Sequence, residues 1–150
     1  HLKIAGDGPN RNTLENIIQE NQLESNVKIL GEINYNEIPQ FLKELNIYIQ
    51  PSVSEGSPIT LKEAMASGLP ILASDAGGIP EIIENDITGF IFQKGNIKKL
   101  EKGLLEIMKL DHKKREKIGS MARIKAKKMY DIEITSKKLA SIYEIILKKK

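Results

Sequence analysis

The sequence predicts an α/β chain: a Rossmann-like parallel sheet with helices on both faces, followed by a helical C-terminal tail. Short runs that are apolar almost throughout, such as Ile47-Tyr48-Ile49 and Ile71-Leu72-Ala73, alternate with stretches whose apolar residues fall at helical spacing. Strands apolar on both faces belong to a parallel sheet covered on both sides. Every strand-like run ends before residue 93, and from Asn96 onward only helical spacing occurs. With 150 residues, 40% hydrophobic and 29% charged, the chain is long enough to bury a core, which argues against a disordered or fibrous architecture.

The elements follow in order. Leu2-Lys3-Ile4-Ala5-Gly6 reads as a buried strand entering a glycine turn. Leu14, Ile17 and Ile18 mark a helix over Asn12–Leu23, and Val27–Gly31 the next strand, so the chain opens on a β-α-β unit. Asn34 and Glu37 have the spacing of a capping box, ahead of a helix carrying Ile38, Phe41, Leu42 and Leu45. Ile47–Pro51 is the third strand. After the polar loop Ser52–Ser57, Pro58 suits the first turn of a helix that Gly68 and Pro70 close, about three turns long. Pro70–Ala73 is a wholly apolar strand, Gly77-Gly78 opens a loop, Pro80–Glu84 is a short helix and Gly89–Phe92 the last strand. Asn96 can cap a helix bearing Ile97, Leu100, Leu104, Ile107 and Met108; two further helices carry Ile118, Met121 and Ala122, then Leu139, Ile142, Tyr143 and Ile146. The α/β part thus spans about residues 1–95 and the tail about 96–150.

Charge divides with structure. Up to Ile97 there are 6 basic and 13 acidic residues, and beyond it 17 and 7, so a net charge of +3 is the sum of −7 and +10. The lack of Cys excludes a disulfide framework, a thiolate metal site and a cysteine nucleophile, and fits a reducing cytoplasm. No run approaches the ~18 apolar residues of a membrane helix, and no signal pattern opens the chain. The reading is a cytoplasmic protein. The basic run from Lys109 to Lys128 has two readings: a solvated helix face, or a weak contact with anionic lipid at the inner face of the membrane. No nucleic-acid partner is expected. His112, in a charged turn, reads as solvated, and Met65, Met108, Met121 and Met129 read as helix packing.

In a doubly wound sheet, ligands bind beyond the carboxyl ends of the strands, which directs attention to the loop after Pro51. The free amides of the Pro58 helix, Ile59 and Thr60 among them, carry a partial positive charge able to hold a phosphate. Glu63 lies on the same helix face, its side chain leaning toward that end. A carboxylate there repels phosphate but accepts from neutral hydroxyls, a combination that suits a ribose with its 5′ phosphates. Glu55 precedes the helix beside Gly56, which permits close backbone approach, and can address a second part of the same ligand. Both carboxylates also have a plain surface reading. Gly6-Asp7-Gly8-Pro9 invites a dinucleotide reading, but Arg11 replaces its third glycine.

Glu55 and Glu63, separated by seven residues and followed by Ala64 through Ala73, resemble the E-x7-E motif and its sequel in retaining glycosyltransferases of the GT-B fold, family 4, also called group 1. Gly6-Asp7-Gly8-Pro9, Gln50-Pro51-Ser52, Gly77-Gly78-Ile79-Pro80-Glu81 and Thr88-Gly89-Phe90 resemble further segments of that family. The resemblance implies the C-terminal, donor-binding half of a GT-B enzyme, truncated at its N-terminal edge. It implies that Glu63 holds the ribose of a nucleotide sugar, whether UDP-, GDP- or ADP-linked. Glu55 then serves as the catalytic carboxylate near the reacting carbon of the donor sugar, and the Gly56, Ser57, Pro58, Ile59 and Thr60 backbone faces sugar and diphosphate. Ile33 stands where main chain reads the base.

The implied reaction is metal-independent transfer with retention to a glycan or lipid-linked acceptor, as in polysaccharide biosynthesis, with neither metal nor cofactor bound. It also implies an N-terminal acceptor domain in a longer parent and no activity from this chain alone. Pro58 stands where many members have Gly and has no N–H to give. Asn46 and Asn96 replace a frequent Asp, with little structural effect. The Arg and Lys that neutralise the leaving diphosphate in the family belong to a strand and helix upstream of the position that His1 occupies. The alternative is a binding-only or regulatory nucleotide-sugar module, a split or degenerate subunit.

Overall fold

The computed structural model describes residues 1–148 and comprises two units, residues 1–41 and the residues from Leu42 onward. In the first, β1 (Leu2–Ala5) and β2 (Val27–Gly31) pair in parallel, Leu2 opposite Val27 and Ile4 opposite Ile29, with α1 (Arg11–Glu20) between them in sequence. Gly6, at φ +113°, turns the chain out of β1 and donates to the Gly31 carbonyl at 2.7 Å. Asp7 accepts from the Gly8 amide at 2.7 Å and from Arg11 Nη1 at 2.8 Å, and these two bonds hold its carboxyl below the ordinary range.

Helix α1 stops three residues before the expected Leu23. Gln22 adopts φ +54°, the Leu23 amide reaches back to the Ile18 carbonyl and the Gln22 amide to that of Gln19, a Schellman closure with Gln in the left-handed place. The expected capping box is absent as well. Asn34 Nδ2 donates to Glu37 Oε2 at 3.0 Å, residues Tyr35–Glu37 form a 3₁₀ turn, and α2 (Ile38–Lys43) begins only then. Pro39 explains the delay: lacking an N–H, it cannot bond to the Tyr35 carbonyl, so the α register starts where proline is tolerated.

The second unit holds β3 (Tyr48–Gln50), α3 (Ile59–Ala66), β4 (Ile71–Ser74), α4 (Ile79–Ile82), β5 (Phe90–Phe92), α5 (Ile97–Lys109), α6 (His112–Met129) and α7 (Ile132–Leu147). Its sheet is parallel in the order β3-β4-β5, with Tyr48 opposite Ile71 and Leu72 opposite Phe90. The strands therefore form two hydrogen-bonded sheets rather than the single one expected, and β1 and β3 are each an edge of their own sheet. All four residues of β4 are buried, the apolar Ile71, Leu72 and Ala73 together with Ser74, whose hydroxyl is hydrogen-bonded.

Leu61 and Met65 of α3, Ile71 and Leu72 of β4, Ile79 of α4 and Ile107 of α5 form the core of this unit. Helix α5 lies against β4 and β5, and α6 against α3. Asn96 caps α5, as expected, by accepting from the Lys99 amide at 3.1 Å; Asp111 and Asp131 cap α6 and α7. Met65 is buried, but Met108, Met121 and Met129 are exposed rather than packed. Helix α7 buries none of its residues, and Leu139, Ile142, Tyr143 and Ile146 are exposed. Of the closing lysine run, Lys149 and Lys150 lie outside the described residues.

The contact of α6 with α3 depends on Gly119, where an added Cβ would lie 2.0 Å from the Gly68 carbonyl oxygen. Gly119→Ala is expected to destabilise the chain by about 1–3 kcal/mol in denaturant unfolding, because backbone must move to admit the methyl. Gly56→Ala, whose Cβ meets nothing within 4 Å, should stay within about 0.5 kcal/mol of the parent. Equal effects at the two sites would show that close helix packing is not the reason for glycine at 119.

Candidate functional site

At the carboxyl end of β3, Gln50 collects a cluster of polar side chains. Its Nε2 donates to Glu55 Oε1 and to Ser52 Oγ, each at 2.9 Å, while its Oε1 accepts from the Tyr48 hydroxyl and, at 3.5 Å, from Thr60 Oγ1. Ser52 Oγ donates to the same Glu55 Oε1 at 2.7 Å. Ser74, buried at the end of β4, donates its hydroxyl to the Ser52 carbonyl and so ties the loop to the neighbouring strand. The loop then rests on backbone: the Gly78 amide donates to the Gly56 carbonyl at 3.1 Å, and Cβ atoms at Gly77 and Gly78 would fall 1.6 and 2.2 Å from the Glu55 and Gly56 oxygens. Two glycines are thus required opposite Glu55, at 77 and 78.

Helix α3 has eight residues, fewer than the expected three turns, because the loop runs on to Pro58. Pro58 is buried and extended (φ −61°, ψ 122°) at the N-cap, not in the first turn. No side chain caps the helix, so its first amides, at Ile59, Thr60 and Leu61, have no intrahelical acceptor. Ser57, Ile59 and Thr60 are exposed at this end, Ile59 by 70%. Ser57 Oγ accepts from Lys62 Nζ at 2.7 Å, and the same ammonium stands 5.0 Å from the centre of the Tyr130 ring on the α6 side.

The two carboxylates differ in their engagement. Glu55 Oε1 takes two donors, which leaves Oε2 without a partner among the described residues. The Glu63 carboxylate, half-buried on α3, accepts no hydrogen bond and makes no ion pair among the described residues, and burial pushes its pKa up. Burial also raises the Tyr48 phenol, and the nearby Glu63 and Glu55 carboxylates add to the rise. Tyr48 is therefore a proton donor to Gln50 across the neutral range.

The second unit thus gathers Glu55, Gly56, Ser57, Pro58, Ile59, Thr60 and Glu63 at one strand end. Ile33 belongs to the first unit, half-buried in the loop after β2 and two residues beyond Gly31, which turns at φ +72°. Sequence reasoning missed Tyr48, Gln50, Ser74 and Lys62 as members of the cluster. The available signal was a glutamine closing an otherwise apolar strand. A cavity of about 440 Å³ lies elsewhere, between β5 and α5, lined by Phe90, Phe92, Lys99 and Lys102 among others. Among the described residues no three His, Asp or Glu side chains converge as metal ligands.

Residues 1–125 match the family model described as glycosyl transferases group 1. The chain belongs to this family. It is 36% identical over 110 residues to the amylovoran biosynthesis glycosyltransferase AmsK of Erwinia amylovora, a match covering 69% of this chain and 27% of AmsK. With the sulfoquinovosyl transferase SQD2 of Arabidopsis thaliana it shares 34% identity over 141 residues, 92% of this chain and 26% of the relative. The crystal structure of Anabaena HepE in complex with UDP-glucose superposes with a TM-score of 0.85 at 26% identity, over 95% of this chain and 40% of HepE. The chain thus spans between about a quarter and two fifths of the length of these proteins. The expected GT-B relationship and the α/β fold with helices on both sides are both found.

Two outcomes follow for this glycosyl transferase chain. Gly77→Ala should open the Gly78–Gly56 hydrogen bond, accelerating amide exchange at Gly78, with a stability loss of about 1–3 kcal/mol. Unchanged protection at Gly78 would mean that the loop is held by other contacts.

For Glu63 the sign runs against ionisation. Its folded pKa is raised, so the folded state binds more protons than the unfolded one between the ordinary carboxylate value and the raised one, and stability falls as pH rises through that window. Glu63→Gln should raise the melting temperature of the ligand-free chain at neutral pH and leave it unchanged below the carboxylate range. A lower melting temperature at neutral pH would contradict this.

Proposed function

We propose that the chain is the donor-binding domain of a retaining glycosyltransferase that moves a sugar from a nucleoside diphosphate to a glycan or lipid-linked acceptor. The observation that carries the reading is the pair of unequal carboxylates flanking an uncapped helix N-terminus. The α3 amides suit the diphosphate, Glu63 has both oxygens free for the ribose hydroxyls, and Glu55 presents Oε2 to the donor sugar. UDP is the first carrier to test among UDP, GDP and ADP, because HepE is held in complexes with UDP and UDP-glucose.

In this reading the bond from the anomeric carbon to the diphosphate oxygen breaks with its electron pair leaving on the diphosphate. The acceptor oxygen bonds the same face of that carbon and passes its proton to the departing phosphate oxygen, so configuration is retained and no metal is needed. Glu55 holds sugar hydroxyls so that the reacting carbon is presented correctly. An N-terminal acceptor domain completes the cleft, in keeping with relatives much longer than this chain. Lys113, Lys117, Lys127 and Lys128, exposed on α6, support a weak contact with an anionic membrane, and no helix among the described residues is long and apolar enough to cross one.

Calorimetry with UDP, GDP, ADP and UDP-glucose tests the assignment. Glu63→Ala should weaken nucleoside diphosphate binding by about 10–100-fold, and Glu55→Ala should weaken UDP-glucose while sparing UDP. A nucleoside diphosphate affinity untouched by Glu63→Ala would sink the ribose role.

A further inference from the structure

Gln50 carries four hydrogen bonds, and they use its whole amide. Two leave Nε2, to Glu55 Oε1 and Ser52 Oγ; two arrive at Oε1, from the Tyr48 and Thr60 hydroxyls. A primary amide has two N–H donors and two carbonyl lone pairs, so nothing is left over for a ligand. Its orientation is fixed by chemistry: the Glu55 carboxylate only accepts, so the NH₂ must face it, and the carbonyl must face the two hydroxyls. Gln50 therefore takes donors from β3 and the first turn of α3 and returns donors to the loop. The bond to Thr60 is the long one, at 3.5 Å, whereas those to Tyr48, Ser52 and Glu55 are of ordinary length or shorter, so Gln50 is coupled chiefly to Glu55. Because Glu55 receives both its donors on Oε1, the oxygen left unengaged is Oε2.

We propose that Gln50 is a positioning residue that fixes Glu55 for the donor sugar, so that the sugar-dependent part of binding runs through Gln50 and the nucleotide part does not. This rests on the nucleotide-sugar reading above. Gln50 touches no ligand; it acts by holding the rotamer of a carboxylate that does. Ser52 alone cannot replace it, because its hydroxyl supplies one donor to Glu55 Oε1 and Gln50 supplies the second, from the end of β3.

The test measures UDP and UDP-glucose affinity by calorimetry on the full chain and on two variants. In Gln50→Leu the ratio of UDP-glucose to UDP affinity should fall about tenfold, the size of one charge-assisted hydrogen bond, with UDP affinity changing less than about twofold. Gln50→Glu keeps the shape but sets a carboxylate against Glu55 Oε1, in a cluster whose other ionisable neighbours are Tyr48 on β3 and Glu63 on α3, with Lys62 engaged at Ser57. At about pH 8 the ratio should fall as in Gln50→Leu, and at about pH 5 it should recover, because a proton shared by two adjoining carboxyls restores the bond.

A merely structural residue would lower both affinities together and show no acid recovery, and either result overturns the positioning role. Variants that bind both ligands as the parent does overturn it too while sparing the nucleotide-sugar reading. A parent chain that binds neither these ligands nor GDP, ADP and their sugars overturns both.

Discussion

Two peptide carbonyls, those of Glu55 and Gly56, occupy space that a side chain at 77 or 78 would need. This backbone-to-backbone contact between two loops is the constraint on which the site depends. A loop held only by side chains can drift by the length of their rotations; one seated on bare backbone and bonded from the Gly78 amide has almost nowhere to go. The contact sits beside the buried strand β4, whose terminal Ser74 reaches across to the Ser52 carbonyl. The sheet thus fixes both ends of the loop, and polar groups that would otherwise be costly beside the core are satisfied by one another, so that every buried side-chain polar atom among the described residues has a partner.

The electrostatics of the site are local. A net charge of +3, split −7 and +10, gives no indication of where an anion goes. Part of the basic run is absorbed by the fold: Lys125, only 18% exposed, pairs with Glu84 at 2.7 Å, Lys114 sits by the Asp111 cap, and Arg115 donates to the Met108 carbonyl. Near the loop, Lys62 lies between Ser57 and the Tyr130 ring, so a basic side chain of α3 links the loop to the first residue beyond α6. In the acidic half, which carries the Glu55 loop, the groups suited to an anion are local: the orphan amides of α3 and the Lys62 ammonium beside Ser57.

Much of this could be seen in the sequence because it is local. Strand and helix periods, the Asn96 cap, the glycine end of α3 and the two glutamates seven residues apart are all patterns within a few residues of one another. What was hidden depends on distance or on competition. The pairing of Glu55 with Gly77 and of Ser52 with Ser74 spans some twenty residues and leaves no period. At Asn34, the capping-box spacing is real, but Pro39 four residues after Tyr35 prevents the helix that the box would start. Helix α1 ends early because two backbone hydrogen bonds close it around Gln22, a residue type that gives little warning of a left-handed turn. The division into two sheets also leaves no trace in the order of strands along the chain.

Pro58 shows how a departure from a family pattern can be judged once its place is known. In the sequence it reads as a lost phosphate donor, because proline has no N–H where many relatives have glycine. At the N-cap, however, the residue whose amide matters is the next one. The orphan donors of a helix begin at its first helical residue, so Ile59, Thr60 and Leu61 keep theirs. The extended backbone that proline favours is the one an N-cap adopts, and its buried ring fixes the direction in which α3 begins. What Pro58 removes is conformational freedom at the point where the Glu55 loop meets the helix, so the loop carboxylate and the first α3 amides keep a fixed relation to one another.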